Sequence, residues 1–337
     1  MPSVPRPGRP RRPARPRRPG RSGRIGSGAS RGAARIVVLG DLMLDMVVVP
    51  ARPLEPGTDV PGRVALVQGG SAANTARWLG RLGAQTSLIA AVGRDAAGRA
   101  LVDAIRADRV TARVSRVAGA RTGRIGVIVE PGGERSFVAD RGAADLLEPG
   151  DLRAAWFERA DALHLPAYSL LGEPLGAAGR RAIELARDAH AAISVDLASI
   201  GPLLAGGRRA ARGLVEGAAP DLLFATASEA EALVGGRALD GLLDIAAIAV
   251  VKRGPKGATV LARIGVERIR LEVATEHIAA ADTTGAGDAF DAGFLVGWFA
   301  SRRAGRSVPA SLQRAAVAGH RAAARQLSTP RAELPLL

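Results

Sequence analysis

From residue 35 onward, short apolar runs bounded by Gly, Pro, Asp or Ser alternate with longer stretches of helical periodicity. Runs such as Ile36-Val37-Val38-Leu39, closed by Gly40-Asp41, lack polar alternation, which predicts strands buried on both faces. Further strands are expected at Met46–Val49, Val60–Gln68, Thr86–Val92, Ala162–Leu165, Ala192–Asp196, Asp221–Phe224, Ile248–Val251, Thr259–Ala262 and Arg268–Val273. Gly69-Gly70 opens a helix with Ala76, Leu79 and Leu82 on one face and Gly83 as its stop. Another helix follows Gly93-Arg94-Asp95 and runs to about Ala107. Later helices are expected at Gly172–Ala189, Ser228–Val234, Gly285–Ala300 and Val308–Leu327. The weakly alternating Gly126–Glu130 and Glu134–Ala139 flank Pro131-Gly132-Gly133, a hairpin signal belonging to a small accessory sheet. The alternation of strand and helix predicts a doubly wound α/β domain with ligands at the carboxyl ends of strands.

Composition narrows the chemistry. Hydrophobic residues make up 47% but aromatics only 3%, so Ala, Val, Leu and Ile build the core. The absence of Cys excludes disulfides, thiolate metal sites and a Cys nucleophile. His164, His190, His277 and His320 form no metal-binding spacing, and no apolar run is long enough to span a bilayer.

The net charge of +15 is concentrated in residues 1–34, which hold ten arginines and no acid; subtracting them leaves +5. This Arg/Pro/Gly-rich segment has no hydrophobic periodicity and is expected to be disordered. It also lacks the apolar core of a secretory signal. It reads as a solvated extension, as a start codon assigned too far upstream, or as an arm that meets nucleic acid non-specifically through phosphate contacts.

The densest chemistry lies in Asp282-Thr283-Thr284-Gly285-Ala286-Gly287-Asp288-Ala289-Phe290. A Gly-rich turn opening into a helix places unpaired backbone N–H groups and the positive end of the dipole before an anion. A carboxylate beside such a hole repels a merely bound anion. It has a purpose if Asp288 takes a proton from a hydroxyl that attacks phosphorus while the Gly285–Gly287 amides hold the transferring group. The alternative is a turn with Asp288 as an early-helix acid favoured by the dipole.

Taken together, the motifs resemble the ribokinase family (PfkB-type carbohydrate kinases). Asp282–Phe290 is similar to its C-terminal signature, and Gly69-Gly70-Ser71-Ala72-Ala73-Asn74 followed by Leu79-Gly80-Arg81-Leu82-Gly83 to its N-terminal one. Val92–Gly98 is similar to its G-x-D-x-x-G element. The order is correct across residues 35–330, with 331–337 left as a C-terminal tail. The resemblance implies a ribokinase-like kinase domain and a lid built from strands near 44–67 and 123–139, whose edges often pair two subunits into a homodimer. It implies ATP- and Mg2+-dependent phosphorylation of a sugar hydroxymethyl group in the cytoplasm, with no membrane partner. A nucleoside kinase on the same fold is the alternative, and a non-catalytic binding module using the basic tail a more distant one.

By matching position, Asp288 is the base and Gly285, Ala286 and Gly287 the anion hole. Asp45, Gly69, Gly70 and Asn74 hold the acceptor, a role that suits Asp45 because a carboxylate accepts two hydroxyl bonds. Lys252, Gly254, Gly257, Thr283 and His320 fall where family members meet the nucleotide. Lys252 is read equally as a phosphate counter-charge or a solvated loop lysine, and His320 as an adenine neighbour or a surface histidine. Some members use a monovalent cation such as K+ beside the anion hole, and Asp282 and Thr284 match part of such a site. Thr226-Ala227-Ser228-Glu229 departs from the family's N-x-x-E element. Glu229 retains the acid, able to order water around Mg2+, while the amide is lost. Arg135 and Arg141 on or after the hairpin are candidates for meeting an acidic acceptor, and Phe137 for stacking on a base.

Overall fold

A computed structural model describes residues 32–130, 135–236, 239–278, 280, 282–329 and 331–335. The Arg-rich segment up to residue 31, residues 131–134 with the expected Pro131-Gly132-Gly133 hairpin signal, Ala281 and the last two residues of the C-terminal tail lie outside the described residues.

In chain order the elements are β1 (Arg35–Leu39), β2 (Met43–Pro50), β3 (Gly62–Gly69), α1 (Ser71–Arg81), β4 (Gln85–Gly93), α2 (Ala96–Ala107) and β5 (Val110–Val117). Next come β6 (Arg124–Val129), β7 (Arg135–Asp140), β8 (Ala162–Pro166), α3 (Leu175–Asp188), β9 (Ala192–Asp196), α4 (Ile200–Leu204) and α5 (Arg208–Ala218). The chain continues through β10 (Leu222–Thr226), α6 (Ala227–Val234), β11 (Ile248–Lys252), β12 (Ala258–Ile264), β13 (Glu267–Val273), α7 (Ala286–Arg303) and α8 (Val308–Leu327).

The main sheet has nine strands in the order β13-β12-β11-β10-β9-β8-β1-β4-β5. It is parallel from β11 through β5, and β12 and β13 add antiparallel at one edge. Both faces are covered. Helices α1, α2, α7 and α8 pack on one, where Trp78, Phe224, Phe290, Phe294 and Trp298 are the buried aromatics. Helices α3, α5 and α6 pack on the other. Covering both sides is what buries strands such as β8 and β9 along nearly their whole length. This is the doubly wound, mostly parallel α/β architecture expected from the alternation.

The direction of winding reverses between β1 and β8. From β1 the chain proceeds outward to β4 and β5; from β8 it proceeds the other way. Loops that diverge at such a point leave a crevice at the carboxyl ends of the strands. A separate four-stranded sheet, β3-β2-β6-β7, stands over it. On that sheet Asp45 and Phe137 share the face toward the crevice. Met46, Val64 and Val138 lie on the other face, exposed.

Strand β5 and helices α4 and α5 have no counterpart in the sequence reading. Strand β2 begins three residues earlier than expected, so Asp45 lies within it rather than before it. The C-terminal segment pairs with the accessory sheet: Glu333 bridges Val67, and the Leu334 amide donates to the Leu66 carbonyl at 2.8 Å.

Candidate active site

The crevice holds a cavity of about 640 Å³ reached by the ends of five parallel strands. Asp41 follows β1, Tyr168 follows β8, Asp196 ends β9, Thr226 ends β10 and Lys252 ends β11. Helix N-termini close its floor, and β2, β6 and β7 contribute Asp45, Ile125, Phe137 and Ala139 from above.

Asp288 sits in the first turn of α7. Gly285 precedes that helix at φ 77°, a left-handed conformation that glycine adopts without steric cost. The first regular helical bond runs from the Ala289 amide to the Gly285 carbonyl, so the Gly287 and Asp288 amides fall in the turn that lacks intrahelical acceptors. The Ala286 amide is already turned to the Thr283 carbonyl at 3.2 Å.

Two donors from α1 hold the Asp288 carboxylate: Ser71 Oγ reaches Oδ1 at 2.8 Å and Asn74 Nδ2 reaches Oδ2 at 3.0 Å. Burial and the nearby Asp196 carboxylate nonetheless lift its pKa to about 7, outweighing those donors and Lys252. Helix α1 is fixed in turn by Asp41, whose Oδ1 accepts the Ala72 amide at 3.1 Å. Gln326 of α8 completes the frame, accepting from Trp78 Nε1 at 2.8 Å and donating to the Thr284 carbonyl at 3.1 Å.

Lys252 is no solvated loop lysine. Its ammonium is nearly buried and donates to Asp196 Oδ1 at 3.1 Å and to both Asp291 oxygens at 3.0 and 3.1 Å. Burial opposes its charge, but Asp196 and Asp291 outweigh that and push its pKa above the ordinary lysine range. Of this triad, the Lys252 ammonium is the member that lies beside Gly287, behind the Gly-rich turn.

The replacement at Thr226 has a local explanation. Thr226 caps α6, its Oγ1 accepting the Glu229 amide at 3.3 Å while Glu229 Oε2 accepts the Thr226 amide at 2.7 Å. Reciprocal bonds of this kind satisfy two helix-terminal donors at once. Glu229 stays on the cavity wall, its pKa raised by burial and by Asp196.

At the other end, Asp45 is buried and its pKa stands at about 6, raised by burial against the pull of Arg331. Gly69 packs so closely on this carboxylate that any side chain there would collide with it. Arg141 lies over the Tyr168 ring at 5.2 Å and pairs with Asp145 at 2.5 Å and Asp41 at 3.5 Å.

The structure therefore gathers Asp45, Gly70, Asn74, Glu229, Lys252, Gly285, Gly287 and Asp288 around one cavity. Gly254 and Gly257 flank a short turn after β11 and do not line it. Neither do Asp282, Ala286 or Thr283, the last of which is held by Arg135. His320 donates from Nε2 to the Val273 carbonyl at 3.2 Å and packs edge-on to Phe290. Burial there lowers its pKa. Ser71, Asp41, Asp196, Asp291, Tyr168 and Arg331 were not singled out from sequence. Asp41 and Asp196 carried a usable signal, since each closes an apolar run at the carboxyl end of a parallel strand.

The pfkB carbohydrate kinase family model matches residues 33–335, nearly the whole described chain. The chain belongs to that family. Fructokinase-1 of Oryza sativa subsp. japonica is 31% identical over 271 residues, 76% of this chain and 80% of the fructokinase. The fold is shared with the adenosine kinase of Sinorhizobium meliloti (TM-score 0.74, 23% identity, 90% of this chain and 98% of that one). It is also shared with the fructokinase of Vibrio cholerae O395, solved with fructose, ADP and calcium ion bound (TM-score 0.73, 21% identity, 90% and 96%). At these identities the structural likenesses establish the fold of the kinase and not its acceptor.

Proposed function

We propose that the kinase transfers the γ-phosphoryl group of ATP to a hydroxymethyl group of a neutral sugar, with Asp288 as general base. The observation that carries this is the placement of Asp288. It is a carboxylate held by Ser71 and Asn74 at the mouth of a helix N-terminus, on the floor of a cavity at the switch point of the sheet. Its pKa of about 7 suits a base that accepts a proton near neutrality.

In this reading the acceptor hydroxyl gives its proton to Asp288 as its oxygen forms a bond to the γ-phosphorus. The bond from that phosphorus to the β-phosphate bridging oxygen breaks, and ADP leaves. The Gly287 and Asp288 amides, backed by Lys252, stabilise the charge of the transferring group, and positioning supplies most of the rest. Among the described residues no three metal-ligating side chains cluster. That suits Mg2+, which keeps several waters and rides on substrate phosphates. Glu229 and Asp196 would meet its waters.

A neutral acceptor follows from charge. The acceptor end presents Asp41, Asp45, Asp145, Glu173 and Asp288, against which Arg141, Arg331 and Arg180 are already paired, so the acids outnumber the guanidinium groups. A carboxylate or phosphate on the acceptor would meet net repulsion, whereas hydroxyls find acceptors. Asp45, beside Gly69 and Gly70, is assigned to hold one of them through Oδ1, since Arg331 takes its Oδ2. A nucleoside is the second reading, favoured by Phe137, which lines the cavity while 57% exposed and so has a free ring face. The β3-β2-β6-β7 sheet serves as the lid. Its outward Met46, Val64 and Val138, all exposed, are assigned to a lid-to-lid homodimer. No helix among the described residues is long and apolar enough to cross a membrane, and a cytoplasmic location is proposed with this reading.

ADP release with Mg-ATP across neutral sugars, sugar acids, sugar phosphates and nucleosides tests the proposal. A response confined to sugar acids or sugar phosphates would overturn the acceptor assignment.

A further inference from the structure

Asp282 stands at the start of the Gly-rich loop, where the family resemblance implies a monovalent cation. Both its oxygens are engaged. Oδ1 accepts the Thr284 amide at 2.8 Å and Arg135 Nη1 at 3.2 Å, and Oδ2 accepts Arg331 Nε at 3.2 Å. Arg331 has a second grip, its Nη1 donating to Asp45 Oδ2 at 2.7 Å, and its side chain is only 7% exposed. Arg135 also donates to Thr284 Oγ1 at 3.0 Å and contacts Thr283. These residues do not fit an added cation. A third positive charge would enter beside two guanidinium groups that already occupy both oxygens of a half-exposed carboxylate, and would meet their repulsion.

We infer that Arg331, seconded by Arg135, is a built-in counter-charge for the phosphate-facing loop, so that the kinase works without K+ or any other monovalent metal ion. The inference rests on the reading of that loop as the anion hole. Chemically the substitution is sound: a guanidinium is always charged, and its planar fork spans two carboxylates where a spherical ion would need a cage of oxygens. Its occupancy also does not vary with salt composition.

The same side chain does more than neutralise. Glu333 and Leu334 fasten the segment after α8 to β3, so Arg331 links the lid, the acceptor carboxylate and the loop. By holding Asp45 Oδ2 it leaves Asp45 Oδ1, buried and without a partner among the described residues, free for an acceptor hydroxyl. Arg331 is thus a positioning residue, supplied by a segment that looks like a dispensable tail in the sequence.

The test compares the full-length kinase in KCl and in choline chloride at equal ionic strength. Mg-ATP affinity is read by calorimetry, and kcat and acceptor KM by ADP release. For the wild type, Kd and kcat are expected to differ by less than about threefold between the salts. Arg331→Met in choline chloride is expected to lose about tenfold or more in kcat, to raise acceptor KM by a similar factor and to weaken Mg-ATP binding, as breaking a buried ion pair leaves its partners uncompensated. KCl should then restore part of the Mg-ATP affinity, and Arg331→Lys should retain more activity than the Met variant. Wild-type activation by K+ above about threefold, or an Arg331→Met enzyme indistinguishable from wild type in choline chloride, overturns the inference. If Arg331→Met does not fold, Arg135→Met, altered at the lid rim, carries the same comparison. Should no acceptor elicit ADP release, the acceptor reading fails separately, and the Mg-ATP affinities still decide the cation question.

Discussion

Replacing Asp288 with Asn separates the chemistry of the site from its stability, because the two should move in opposite directions. The change is nearly isosteric, and Asn keeps one acceptor for the donors at Ser71 Oγ and Asn74 Nδ2. It removes the proton acceptor, a group worth about 10²–10⁴ in rate for general base catalysis. A base acts in the transition state, so kcat should fall by about that factor while Mg-ATP affinity stays within about fivefold. In the wild type, kcat/KM should rise with pH and level off above about 7, the value to which burial and Asp196 lift the carboxyl.

Stability follows from the same displacement. The folded-state pKa is above the unfolded value of 3.8, so the stability that protonated Asp288 lends is fully present below pH 3.8 and is lost as pH rises through about 7. Above that pH the ionised group costs up to about 4 kcal/mol relative to a neutral one, at about 1.4 kcal/mol per pKa unit. Asn escapes this cost but turns an amide toward one of two donors, which returns about 1–3 kcal/mol. Urea unfolding at pH 8 should therefore show Asp288→Asn at least as stable as wild type, and relatively less so at pH 4. Near-full turnover in the variant, or a wild-type acid limb at pH 4–5, would refute the reasoning.

Three further outcomes follow from the site. Asp45→Ala should raise acceptor KM by about tenfold or more through loss of a hydroxyl acceptor, with a smaller change for ATP; an unchanged acceptor KM would remove its role. Lys252→Met strands Asp196 and Asp291 together and should cost about 3–5 kcal/mol in urea unfolding. Because Lys252 also holds the Asp288 pKa down, the acid limb of kcat/KM should move to higher pH in that variant. Sedimentation should give a dimer for wild type and a monomer for Val138→Asp, which places a charge on the apolar outer face of the lid; a monomeric wild type would dismiss the lid interface.

What sequence conveyed depended on whether a feature was local. The strand at Ala192–Asp196 and the helix at Val308–Leu327 were legible to the residue, because each is a continuous pattern bounded by polar or breaking residues. Strand β5 was not, because it lies at the sheet edge, is mostly half-exposed and reads as Thr-Ala-Arg-Val-Ser-Arg after its first valine. Helix α5 opens on Arg-Arg and buries only Ala211, Val215 and Ala218, too sparse an apolar stripe to stand out. In the site, the Gly-rich turn and Asp288 were legible because loop, helix start and carboxylate are contiguous. The Lys252 triad was not, since its acids come from β9 and from α7, and burial rather than local sequence decides that the lysine is enclosed. Arg331 carried no local signal; its meaning comes from Asp45, 286 positions away.

The measurement that tests the central claim most directly is ADP release by the purified kinase and its Asp288→Asn variant, run side by side with Mg-ATP on the acceptor panel. The account predicts that a neutral sugar drives ADP release in the wild type and that the variant loses about 10²–10⁴ of that rate while still binding Mg-ATP. Turnover that survives in the variant would contradict Asp288 as the base, and a response confined to sugar acids or phosphates would contradict the neutral acceptor.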